Sequence, residues 1–155
     1  MVREANDSPV PRDFVARVVR ELDVPERNPR ALAEGIQQWV QRNIRYVREY
    51  PEIIASPERT LEWGIGDCDD RTVLVASALR SARIPARAVF VGWKDGPGPV
   101  PFKHVYPQAC LDGHWVTVET VRPVPLGWDA SLAHARKGHR VAVRTIGDDR
   151  NIILG

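Results

Sequence analysis

At 155 residues and 43% hydrophobic content, the chain is long enough to bury one core and too short for several. Its 22 basic and 20 acidic residues leave a formal net charge of +2, and no basic stripe with interleaved aromatics occurs, so nucleic acid is not an expected partner. The absence of any run of about eighteen apolar residues argues against a membrane partner, and two cysteines are too few for a disulfide framework and fit a reducing compartment.

The segment Met1-Val2-Arg3-Glu4-Ala5-Asn6-Asp7 lacks the apolar core of a signal peptide, so a cytoplasmic start is expected. Residues 11–22 place Phe14, Val15, Val18 and Val19 on one helical face. Pro29 to Asn43 does the same with Leu32, Ile36, Trp39 and Val40, and each stretch has proline near its start. Asp23 to Asn28 connects the two helices. Ile44 to Ala55 has little periodicity and contains two tyrosines and Pro51, which predicts a loop.

Trp63-Gly64-Ile65-Gly66-Asp67-Cys68-Asp69-Asp70 then carries a cysteine from a glycine-containing turn into a helical pattern, with Leu74, Val75, Ala78 and Leu79 recurring at helical spacing. A thiol in the first helical turn meets unpaired backbone N–H groups and the positive end of the dipole, both of which favour a thiolate. The alternative is an inert buried cysteine. Asp67, Asp69 and Asp70 lack the spacing of a calcium loop and read as dipole partners of that turn, although their charge opposes thiolate formation.

Beyond this helix, Ala86 to Trp93 is strand-like and Lys94-Asp95-Gly96-Pro97-Gly98-Pro99 is a loop. Phe102-Lys103-His104-Val105-Tyr106 begins one strand, His114-Trp115-Val116-Thr117-Val118-Glu119 forms another, and Leu111-Asp112-Gly113 lies between them, a hairpin signal. With Asp112 and Gly113 as the two loop residues, Leu111 faces His114 and Glu119 comes opposite Tyr106. His104 then shares a face with Tyr106 and is a diagonal neighbour of Glu119. A carboxylate on one ring nitrogen fixes the tautomer and leaves the other nitrogen for a thiol proton. Residues 140–145 supply a further strand. Helices followed by consecutive strands predict an α+β domain with an antiparallel sheet.

Taken in order, Gly66-Asp67-Cys68-Asp69-Asp70, His104-Val105-Tyr106 and Asp112-Gly113-His114-Trp115 running into Val118-Glu119 resemble the transglutaminase-like superfamily of papain-type thiol enzymes. Ile36, Trp39, Val40, Ile44 and Tyr46 resemble the helix and tyrosine that precede its cysteine. Ser56-Pro57-Glu58-Arg59-Thr60-Leu61 resembles its lead-in, and Ala82-Arg83-Ile84-Pro85-Ala86-Arg87 resembles its turn into the first core strand. The resemblance implies a papain-like fold in which the nucleophile helix packs on an antiparallel sheet. It implies one domain over 1–155, with a core of about residues 30–120, an N-terminal helix over 11–22 and an extension over 121–155. It further implies Cys68 as nucleophile, His104 as base and Glu119 as orienting acid. The chain departs from the family where Tyr106 replaces a common Trp and Glu119-Thr120-Val121 replaces a usual Asp-Pro pair.

The resulting expectation is a thiol peptidase or amidase acting on a protein or peptide amide through a Cys68 thioester, without a cofactor or metal. The alternatives are a protein-crosslinking transglutaminase and a non-catalytic binding or assembly module, for example in a phage particle. The Cys68 backbone N–H is a natural oxyanion donor, and Trp63, Asp67 and Tyr106 are further candidates for oxyanion or substrate contact, with Trp63 otherwise a packing residue. Cys110 lies six residues along the strand from His104, ~20 Å away, and reads as structural. His114, His134 and His139 lack zinc-type spacing and read as solvated surface residues. Nothing in the sequence specifies an oligomeric state.

Overall fold

Proline-initiated amphipathic stretches form the helical half of the molecule. In the computed structural model, which describes residues 8–48 and 54–147, α1 spans Val10–Leu22 and α2 spans Pro29–Asn43. Asn28 caps α2 by accepting the Ala31 N–H at 3.0 Å, and Pro29 occupies a first-turn position where no N–H is needed. The expected stripe of Leu32, Ile36, Trp39 and Val40 is buried in full. Phe14 of α1 meets Trp39 edge to face, with centroids 5.0 Å apart.

Ser56 caps a seven-residue helix, α3 (Pro57–Trp63), and Gly64 closes it in the left-handed region at φ 64°. The expected loop from Ile44 contains a short element that periodicity does not reveal: β1 (Arg45–Tyr46) pairs in parallel with β2 (Ile65–Gly66). Two residues are too few to show an alternation. The remainder of that expected loop over 49–53, the N-terminal segment 1–7 and the chain after 147 lie outside the described residues.

The cysteine-bearing helix, α4, spans Cys68–Ser81 and buries Leu74, Val75, Ala78 and Leu79 completely. Each of the three larger side chains contributes roughly 1.5–3 kcal/mol by burial. They pack in one cluster with α1, α2 and the inner face of the sheet, including Ala86, Ala109, Leu111 and Val118.

The sheet comprises β3 (Ala86–Lys94), β4 (Phe102–Leu111), β5 (His114–Thr117) and β6 (Arg140–Ile146), ordered β5-β4-β3-β6 with every pairing antiparallel. The hairpin register is the derived one: Leu111 faces His114, and Asp112 and Gly113 turn with φ of 51° and 79°, as a two-residue hairpin loop requires.

A helix not anticipated from the sequence, α5 (Ala130–Arg136), covers the opposite face of the sheet over Val89, Val91 and Tyr106. Its cap, Asp129, accepts from the Ser131 N–H at 2.8 Å. The architecture is α+β, as expected, with the cysteine-bearing α4 packed on an antiparallel sheet.

One close approach fixes how β4 runs beside β3. The register shifts between Val91, which faces His104, and Gly92, which faces Phe102. A Cβ on Gly92 would lie 2.0 Å from the Pro101 carbonyl oxygen, so the backbone itself would have to move. Gly92→Ala is therefore expected to cost about 1–3 kcal/mol in a urea unfolding measurement, as overpacking does. An unchanged midpoint would show that this approach is not a constraint.

Candidate active site

The local sequence around Cys68 forms a capping box. Asp67 accepts the Asp70 N–H at 3.0 Å, and Asp70 accepts the Asp67 N–H at 3.2 Å. Asp70 also accepts from the Ala55 N–H at 2.6 Å, tying the segment before α3 to the same turn. Burial is the largest influence on Asp70 and raises its pKa above the usual carboxylate range, against the backbone hydrogen bonds it accepts. Asp67 is buried and engaged in the cap, so its contribution is to the shape of the turn that presents Cys68. The thiol itself is half-buried at the first position of α4. Its carbonyl accepts from Thr72 Oγ1 at 2.7 Å, and the same hydroxyl lies 3.4 Å from the Val105 carbonyl of β4, joining the helix to the strand that carries His104.

His104 donates from Nε2 to Glu119, whose two carboxylate oxygens lie at 2.7 and 3.0 Å. The pairing continues past the end of β5, with the Val118 N–H on the Pro107 carbonyl at 2.9 Å, which brings Glu119 to the diagonal position beside His104. With Nε2 committed to the carboxylate, Nδ1 is the nitrogen left for the hydrogen bond that His104 also makes with the Cys68 side chain. Burial would lower the imidazole pKa. The hydrogen bonds with Cys68 and Glu119 and the charge of Glu119 outweigh it, lifting the pKa from 6.5 to about 9. Both partners thus favour the protonated ring.

The backbone that carries Glu119 is held by side chains from two helices. Gln37, buried on α2, donates from Nε2 to the Glu119 carbonyl at 3.0 Å, and Gln41, one turn further, places its Nε2 at 3.0 Å from that carbonyl and 2.9 Å from the Arg122 carbonyl. Arg71, three residues beyond Cys68, is 3% exposed. It donates to the Gly66 carbonyl at 3.2 Å, to the Thr120 carbonyl at 2.7 Å and to the Ile44 carbonyl. Burial lowers the guanidinium pKa, while nearby Glu119 favours its charged form.

None of these three supports was identified from the sequence. The available signal was polar: a glutamine pair at i and i+4 beside a buried stripe, and an arginine in the first turn of an apolar helix.

The remaining candidates are placed differently. Tyr106 is buried, donates its hydroxyl to Asp129 at 3.0 Å and has its ring centroid 5.8 Å from that of His104, so it backs the imidazole from inside the sheet. Burial and the neighbouring Asp129 raise its pKa. Asp129 also accepts from Thr117 at 2.7 Å. Its burial opposes ionisation, yet hydrogen bonds from Ser131, Thr117 and Tyr106 leave its pKa lowered. Trp63, expected as a packing residue, is 53% exposed at the end of α3, with the Arg59 guanidinium 5.2 Å from its ring centroid. Among the described residues, the indole meets the Arg59 side chain at the surface and is not part of the core clusters.

His114 is exposed. His134, expected to be solvated, is stacked on Trp93 at 3.7 Å, and His139 lies 2.7 Å from Asp95. Among the described residues no group of three His, Cys, Asp or Glu side chains is arranged to hold a metal ion, and no helix is long and apolar enough to cross a membrane.

Residues 16–120 match the family model of the transglutaminase-like superfamily. No curated protein matches the chain in sequence. Among solved structures, a candidate protease from Parabacteroides distasonis superposes with a TM-score of 0.57 at 14% identity, over 74% of this chain and 23% of that one. A candidate cysteine protease from Cytophaga hutchinsonii superposes with a TM-score of 0.54 at 21% identity, over 92% and 53%. A transglutaminase superposes with a TM-score of 0.51 at 17% identity, over 80% and 35%. The chain thus spans between 23% and 53% of the length of these structures, and at such identities the likeness is one of fold.

The raised His104 pKa links the site to pH. A group whose pKa is higher in the folded state than unfolded contributes stability that is full below the unfolded value and lost as pH rises through the folded one, here between 6.5 and about 9. An NMR titration of the His104 ring is expected to show a midpoint near 9, falling back toward 6.5 in Glu119→Gln. A wild-type midpoint at the ordinary imidazole value would contradict the described hydrogen bonding.

Proposed function

We propose that this chain, which belongs to the transglutaminase-like superfamily, is a cysteine hydrolase that cleaves an amide of a protein or peptide through a thioester on Cys68. The observation that carries the reading is the imidazole of His104 held by Glu119 at 2.7 Å while it hydrogen-bonds the Cys68 side chain at a helix start. Cys68 supplies the nucleophile, His104 holds its proton, and Glu119 orients the ring and balances its positive charge. Attack forms the S–C bond and moves the carbonyl π electrons to oxygen. Collapse restores the C=O bond, breaks C–N and sends the amine away with the His104 proton. Water, deprotonated by the now neutral His104, then attacks the thioester and releases the acid and the thiol.

The proposed helix-start position of the nucleophile is consistent with this chemistry because the N–H of Cys68 is among the first four of α4, which have no partner within the helix. Hydrolysis is favoured over amine transfer as the simpler outcome for a half-buried thiol that water reaches. An amine donor in the assay separates the two, since a transglutaminase would consume it.

Cys68→Ala is expected to reduce amide turnover by at least ~10³-fold with the thermal midpoint nearly unchanged, because a half-buried thiol at a helix start packs little. Glu119→Gln is expected to cost at most ~10²-fold, since an amide still holds the ring but stabilises its charge less. Release of product from a panel of peptide amides, with and without an amine donor, measures both. Equal turnover by wild type and Cys68→Ala would exclude the mechanism.

A further inference from the structure

The two-residue strand β1 carries one aromatic side chain, Tyr46, and its pairing determines where that side chain stands. Tyr46 faces Gly66, two residues before Cys68, and the flanking bonds lock this register: the Arg45 N–H reaches the Gly64 carbonyl at 2.8 Å and the Val47 N–H the Gly66 carbonyl at 3.4 Å. Arg71 lies three residues after Cys68 on α4, so the two share a helix face. The Arg71 guanidinium is 5.8 Å from the centroid of the Tyr46 ring. The phenol therefore stands on the face of α4 that presents the thiol. Among the described residues it is 44% exposed and outside the apolar core.

Resting on the thiol acyl-transfer reading above, we propose that the Tyr46 hydroxyl is the second oxyanion donor, a catalytic residue that with the Cys68 N–H binds the carbonyl oxygen of the substrate. When the Cys68 sulfur bonds to the carbonyl carbon, the π pair moves to oxygen, and the phenolic O–H donates to that oxygen without giving up its proton. When the intermediate collapses, the C=O bond re-forms, the bond to the leaving group breaks and the Tyr46 hydrogen bond weakens. A donor of this kind acts by stabilising charge that develops only in the transition state. Partial burial, with Cys68 and Asp67 nearby, raises the Tyr46 pKa. The shift favours the protonated phenol, the form that donates.

The alternative is that the ring merely covers Arg71, and Tyr46→Phe separates the two roles because it keeps the ring and removes only the oxygen. Two reactions of Cys68 serve as readouts: acetylation by p-nitrophenyl acetate, which passes through an oxyanion, and alkylation by iodoacetamide, which does not. Tyr46→Phe is expected to slow acetylation by about 100-fold and to leave the alkylation rate within a factor of about two. Equal acetylation rates would overturn the assignment, and so would a parallel fall in both rates, which would mean that Tyr46 acts on the thiol itself. Failure of the wild type to be acetylated at Cys68 while iodoacetamide labels it would overturn the acyl-transfer reading, and this inference with it.

Discussion

A single buried guanidinium connects the parts of the site. Arg71 donates to the Ile44 carbonyl at the end of α2, to the Gly66 carbonyl in the turn before Cys68 and to the Thr120 carbonyl just after Glu119. Burying a cation is costly unless its donors are satisfied, and these three carbonyls are backbone acceptors that would otherwise be left without this partner. Because Arg71 belongs to the same first turns of α4 as Cys68, the side chain that anchors the helix also fixes the distance between the thiol and the segment bearing the carboxylate. Truncating it would remove hydrogen bonds to the carbonyls of three chain segments at once.

The opposite side of that segment is held by α2. Gln37 and Gln41 direct their amides at the carbonyls of Glu119, Arg122 and Val124, so the stretch that follows β5 is tied to α2. Glu119 thereby keeps its carboxylate on His104 in a position that is 1% exposed. Beneath the imidazole, Tyr106 and Thr117 are tied to Asp129, the cap of α5, and the second face of the sheet is closed over them. The imidazole therefore has a fixed tautomer partner and a fixed floor, the conditions under which a histidine can hold a proton at a defined place.

Much of this was legible because the relevant signals are local. Leu32, Ile36, Trp39 and Val40 repeat at helical spacing, and Asp112-Gly113 specifies a two-residue turn whose parity brings Glu119 to His104. What escaped is non-local or too short to have a period. Arg71, Gln37 and Gln41 are ordinary surface residue types until the fold aims them at carbonyls about 49 and 80 positions away. β1 exists because of its pairing with β2, and the seven residues of α5 hide within a basic stretch whose histidine proved to be stacked on Trp93. Asp67 and Asp70 read as dipole partners, and their reciprocal cap gives that reading a specific geometry.

Membership of the transglutaminase-like superfamily accounts for the fold, and the proposed chemistry stands on whether Cys68 becomes covalently acylated. The most direct measurement is an acid-quenched incubation of the wild-type protein with peptide amides, followed by peptide mapping by mass spectrometry. The account predicts a hydroxylamine-labile acyl adduct on the peptide containing Cys68 and none on the peptide containing Cys110. Amide turnover with Cys68 unmodified, or an adduct on Cys110 instead, would contradict it.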